Sequence, residues 1–292
     1  MGMALCWAAE LRHIDNDAYQ RLMDALDVPG NGALISEEGG TEPFEKGLYA
    51  STEMFVEGLA RLFECGVLRR HVASDLDTQK LLDAGEIEAD DLDDAHCIHA
   101  GFFLGSEEFY RTLRELSEAD RQRISMTSVR FTNLLLGDEQ LKRRQRKHAR
   151  FCNEAMKVTL LGAVVSDGLE NQRVVSGVGG QFEFVKMAHE LDDARSILML
   201  PSTRESGGEL ESNVVWNYGH TTIPRHLRDI IITEYGIADL RGKSDEEVVR
   251  ALIRVADARF HDQLVEQAKA ADKLPSDYEV PEAARQNTPG AL

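Results

Sequence analysis

Positive charge is scarce in this sequence. Its 292 residues carry 33 Lys and Arg against 51 Asp and Glu, a formal net charge of −18. Nucleic acid and anionic membranes both require cationic surface, so neither is expected as a general partner. Long apolar runs are missing as well, and without roughly 18–20 consecutive apolar residues no helix spans a bilayer. The four cysteines, Cys6, Cys65, Cys97 and Cys152, form no CxxC pair. Scattered in this way they read as reduced thiols of a cytoplasmic protein rather than as a disulfide framework. The opening MGMALCWAAELRH shows no early positive charge and no cleavage site, so no signal peptide is expected. GxSxG, HExxH and Walker loops are absent, which removes the usual markers of serine hydrolases, zinc proteases and nucleotidases. His96-Cys97-Ile98-His99 groups two imidazoles and a thiol, but no second cluster completes a four-ligand set, and no metal is expected.

What remains is an ordinary globular composition, 42% hydrophobic and 29% charged, enough for one large core or two modest ones. Residues 4–27 have helical spacing, and 29–43 are a glycine- and acid-rich loop. Gly47 to Ser51 reads as a short strand, Thr52-Glu53 as a junction, and Phe55 to Phe63 as a helix that Gly66 stops. The acidic run 86–95 is expected to be solvated, and 107–116 and 136–149 to be helical. Val158 to Val165 fits one buried strand, as do the runs Ile197 to Leu200 and Ile230 to Ile232. Ser244-Asp245-Glu246-Glu247 is a capping box leading an amphipathic helix. From Lys273 on, three prolines and little periodicity suggest an extended arm. Buried strands alternating with helices indicate an α/β fold, an open mixed sheet flanked by helices.

Three places could carry chemistry. Glu53 sits where a strand feeds a helix, a junction that holds a side chain rigidly, although a solvated glutamate at a helix start has the same pattern. Ser176 to Phe184 places three glycines in four positions, letting backbone N–H groups approach an anion; a tight turn without a ligand fits equally well. Thr233 to Ser244 mixes both charges before a capped helix, so Arg241 and Lys243 could meet phosphate or simply join internal ion pairs. The basic island Lys142 to Arg150 reads as a solvated helix face, or as contact for a polyanionic small ligand.

Together GLYASTEMFVEG (47–58), SGVGGQFEF (176–184) and TEYGIADLRGKS (233–244) resemble the C-terminal part of the acetyl-CoA hydrolase/transferase family, a branch of the class I CoA-transferases. HAGFFLG, ARFCNEAMKVTLLG and GHTTIPR support the resemblance in the same order. It implies a NagB/RpiA/CoA-transferase type fold over residues 44–272, with 1–43 a helical remnant and loop and 273–292 an arm. It also implies CoA transfer between an acyl-CoA and a small carboxylic acid, or acyl-CoA hydrolysis, in acetate metabolism. Glu53, in the family's TEM or SEM position, is then the nucleophile that becomes a glutamyl-CoA thioester. Gly177, Gly179, Gly180, Gln181 and Asn153 would serve the oxyanion and CoA. Glu234, Tyr235, Gly236, Arg241 and Lys243 would line the pocket. No cofactor is implied beyond coenzyme A itself, the carried group. Thr159 and Ala163 stand where the family often has Asp and Gln. The family's upstream domain, with its glycine loop, has no counterpart in residues 1–46. An N-terminal partner, a homo-oligomer, or a non-catalytic assembly role is therefore expected alongside the catalytic reading.

Overall fold

The computed structural model describes residues 46–289 except Asp93; the expected helices of 4–27 and the loop of 29–43 lie outside the described residues. The described chain divides after Lys147 into two units.

In the first unit, residues 46–147, β1 (Ala50–Phe55) is followed by α1 (Glu57–Glu64), β2 (Val72–Ala73), α2 (Leu76–Ala84), β3 (Ala95–His96) and β4 (Ile98–Phe103). Next come α3 (Glu107–Glu115), α4 (Glu118–Gln122), β5 (Ile124–Met126), α5 (Val129–Asn133) and α6 (Glu139–Gln145). β1, β4 and β5 form a parallel sheet in that order. Phe55, Phe63, Leu68, Ile98 and Phe109 fill its core. Serine side chains cap α3, α4 and α5, each accepting a backbone N–H that the helix start leaves free.

The second unit, residues 148–289, contains β6 (Arg150–Glu154), β7 (Lys157–Thr159), β8 (Val164–Val165), α7 (Gln181–Glu190), β9 (Arg195–Met199), β10 (Thr203–Ser206) and β11 (Glu209–Ser212). β12 (Val214–Val215), β13 (Ile230–Thr233), β14 (Gly236–Asp239), α8 (Asp245–Arg254) and α9 (His261–Ala270) complete it. Its main sheet has the order β14-β13-β9-β6. β6, β9 and β13 are parallel, and only β14 runs back. α7 packs on β6 and β9. Ser244 and Glu247 form the expected capping box at α8. The α/β class with helices against mixed sheets is thus observed.

Four local expectations are corrected. Glu53 lies inside β1, not at a junction, because ladder pairing with β4 continues to Phe55 and the helix starts only at Glu57. Val158 to Val165 is a hairpin rather than one strand: Gly162 takes a φ of 88°, and Thr159 N–H donates to the Ala163 carbonyl. Arg173-Val174-Val175, strand-like in sequence, form only a single bridge, Val174 to Gly168, and stay exposed. The segment 273–289 is no free arm, since Leu274, Tyr278, Val280 and Ala284 bury their side chains in the core of the second unit. Among the described residues, no helix is long and apolar enough to cross a membrane.

Candidate active site

Glu53 is the fourth residue of β1 and half-buried. Its strand lies against Gly101 of β4, where a Cβ would stand 2.9 Å from the Glu53 carbonyl oxygen and 2.6 Å from Val129. Only glycine allows β1, β4 and α5 to approach this closely. Across that contact Asn133, the last residue of α5, donates its Nδ2–H to Glu53 Oε2 at 2.6 Å. No hydrogen bond to Oε1 occurs among the described residues. Among the described residues the carboxylate therefore has one oxygen held and one without a hydrogen bond.

The basic island behind α5 differs from the solvated face expected of it. Arg143 and Arg144 do face solvent, with Glu139 and Asp83. Lys142 and Arg146 turn inward and are buried. Burial, with nearby Arg146 adding to it, pushes the Lys142 ammonium down to about 8. His96 and His99 make ring contact at 5.4 Å. His99 Nδ1 bonds the Tyr49 hydroxyl at 2.9 Å, so this pair is used in packing.

In the second unit the glycine turn leads into a helix N-terminus. Residues 171–179 are exposed, Gly179 takes a φ of 60°, and buried Gly180 is the N-cap of α7. The first N–H groups of α7 have no intrahelical acceptor and present positive dipole ends. Gln181, 7% exposed, donates to the Glu154 carbonyl at 2.6 Å, while its buried Oε1 has no partner among the described residues. One residue before Glu154 on β6, Asn153 holds a buried Nδ2 that also lacks a partner among the described residues. Buried orphan polar atoms of this kind are costly unless a ligand or water completes them.

Asn153, Gln181 and Glu234 gather at the carboxyl edge of the parallel strands, the edge where open α/β sheets bind ligands. Glu234 follows β13 directly and accepts from the Ser202 N–H and hydroxyl at 2.7 and 2.6 Å. Tyr235 donates its hydroxyl to Asp257, and burial, then that carboxylate, raises its pKa. Arg241 is carried elsewhere. β14 runs antiparallel from Gly236, so residues after Asp239 return to the opposite edge. There Arg241 pairs with buried Asp229, which Arg195 also holds, and donates to the Ala194 carbonyl at 2.9 Å. Arg241 and Lys243 thus share no pocket wall with Glu234, and the guanidinium serves an internal ion-pair network. Sequence reading missed Asn133 and Thr132; the only signal was the Ser128 cap that starts α5.

One family model matches more than half of the chain. A model described as the acetyl-CoA hydrolase/transferase C-terminal domain matches residues 105–268. That span includes Asn133, Asn153, the glycine turn and Glu234, but not Glu53. A "Probable butyrate:acetyl-CoA coenzyme A-transferase" of Syntrophomonas wolfei is 37% identical over 120 residues, 40% of this chain and 27% of that protein. The "4-hydroxybutyrate coenzyme A transferase" of Clostridium kluyveri is 33% identical over 118 residues, again 40% and 27%. The matches therefore span about a quarter of these relatives' length. RipA from Yersinia pestis shares the fold at a TM-score of 0.58 and 24% identity, over 78% of this chain and 46% of that one.

Proposed function

This chain belongs to the acetyl-CoA hydrolase/transferase family, and on that premise we propose that it handles acyl-CoA thioesters through a covalent relay on Glu53. Oε1 attacks the thioester carbonyl, the C–S bond breaks, and CoA thiolate leaves a mixed acyl-glutamyl anhydride. The thiolate then attacks the glutamyl carbonyl and releases the acyl group as a carboxylate, leaving a glutamyl-CoA thioester. An acceptor carboxylate retraces these steps to collect CoA; water instead gives hydrolysis. Covalent catalysis of this kind replaces one high barrier by several lower ones. The observation that carries the reading is the Glu53 carboxylate itself, fixed at one oxygen and open at the other on a rigid parallel strand.

Backbone N–H groups at the start of α7, with Asn153 and Gln181, are the proposed contacts for the CoA moiety. Small carboxylic acids, acetate among them, are the proposed acceptors. The relay calls on no metal, because CoA is both leaving group and returning nucleophile. A cytoplasmic setting suits Cys65, Cys97 and Cys152, which form no disulfide among the described residues.

Incubation with acetyl-CoA followed by borohydride should reduce the glutamyl thioester, and peptide mass mapping should place the change at Glu53. Glu53→Gln should abolish the adduct and keep the fold. Label on Glu183 or Glu234, or undiminished turnover in Glu53→Gln, sinks the assignment.

A further inference from the structure

The amide that holds Glu53 is itself held. Thr132 is fully buried and its hydroxyl donates to Asn133 Oδ1 at 2.8 Å. With Oδ1 engaged, Asn133 turns its N–H rather than its carbonyl toward the carboxylate. The backbone around this pair is clamped from behind. Lys142 Nζ donates to the Leu134 and Leu136 carbonyls at 2.8 and 3.2 Å. Arg146 donates to the Phe131 carbonyl at 2.5 Å, and both cations lie against the Phe131 ring, at 4.9 and 5.5 Å. Desolvating two cations is costly unless their hydrogen bonds are well used. Here they are spent on one short segment, whose last helical residue touches Glu53.

We propose that Asn133 is a positioning residue for Glu53, aligned by Thr132 and kept in place by the Lys142 and Arg146 clamp. The proposal rests on the reading of Glu53 as nucleophile. One bond to Oε2 stops rotation of the carboxylate and fixes the direction in which Oε1 presents its lone pair. Nucleophilic attack is sensitive to such alignment, and a misplacement of about 1 Å costs on the order of a hundredfold.

The test uses the whole chain labelled with δ-13C glutamate, the Glu53 carboxyl signal being assigned by its loss in Glu53→Gln. Asn133→Leu keeps side-chain size and removes the donor; Thr132→Val removes the aligning hydroxyl, and Thr132→Ser restores it. The Glu53 signal is expected to move in Asn133→Leu, to move less in Thr132→Val, and to return in Thr132→Ser. With acetyl-CoA, the borohydride-trapped adduct should form roughly tenfold to a hundredfold more slowly in Asn133→Leu. Acetyl-CoA binding by calorimetry should be unchanged. An unmoved Glu53 signal, or adduct formation at the wild-type rate, overturns the proposal. A signal that moves as expected while wild-type chain is labelled on another glutamate, or not at all, overturns the nucleophile reading and with it the catalytic purpose of the pair.

Discussion

His99 stands on β4, where it pairs with Ser51 of β1, and its ring lies between Tyr49, His96 and Phe131. Burial, reinforced by His96 and Arg146 and opposed by Asp94, lowers its pKa to about 4. The unfolded chain binds that proton near pH 6.5, so acid favours unfolding across the interval between the two values. Stability is expected to be full above pH 6.5, to fall as pH drops toward 4, and to flatten below. A shift of this size corresponds to about 3 kcal/mol. Urea unfolding from pH 4 to 7 measures it, with His99→Phe as reference. The substitution removes the hydrogen-bond partner of the Tyr49 hydroxyl and costs stability at neutral pH, but it should erase this part of the pH slope. An unchanged slope in His99→Phe would place the acid sensitivity elsewhere.

At the scale of elements, the glycine turn and the start of α7 separate two effects that sequence alone mixes. Gly179 has the left-handed φ, whereas Gly180 sits at φ −83° and ψ −2°, a conformation other residues adopt. Gly180→Val therefore adds bulk at the head of α7 without imposing left-handed backbone strain. An N-cap glycine replaced by an aliphatic residue costs on the order of 1 kcal/mol, so the fold should survive. Turnover should fall on the order of a hundredfold or more if these N–H groups position the CoA substrate. The check is a thiol-release assay beside a thermal melt; a folded variant with wild-type turnover makes the turn purely structural. α5 shows the same separation of roles: five residues long, it is too short to be stable by itself. Tertiary clamps from α6 supply what its own hydrogen bonds do not.

For the molecule as a whole, the C-terminal residues belong to the body of the second unit. Leu274, Tyr278 and Val280 are each under 8% exposed, and burying apolar side chains of this size contributes about 1.5–3 kcal/mol apiece. Against a total stability of about 5–15 kcal/mol that is a large share. A chain ending at Lys273 should melt at least about 10 °C lower or fail to stay soluble. Melting within about 2 °C of the full chain would mean that the segment only decorates the core. The net charge of −18 is spread over a molecule whose inward-turned cations, Lys142, Arg146 and Lys157, are themselves buried. Buried Asp167, Asp229 and Asp257 offset them, so burial leaves the acidic balance of the described residues as the composition gives it.

Local patterns in the sequence determined much of this. The Ser244 to Glu247 capping box, the Gly66 helix stop and the apolar runs at 197–200 and 230–232 rest on neighbours a few residues apart, and the structure keeps all of them. The STEM and GVGGQ motifs were legible for the same reason. What the tertiary structure decided involves partners far apart in the chain. Glu53 and Asn133 are 80 positions apart and meet only because β1, β4 and α5 close around Gly101. Lys142 and Arg146 look like surface charge until the fold supplies carbonyls for them to hold. Arg241 lies seven residues after Glu234, yet an antiparallel β14 carries it to the other edge of the sheet. Spacing along a chain sets which residues share a face; strand direction and long-range pairing set which faces meet, and those depend on the whole core.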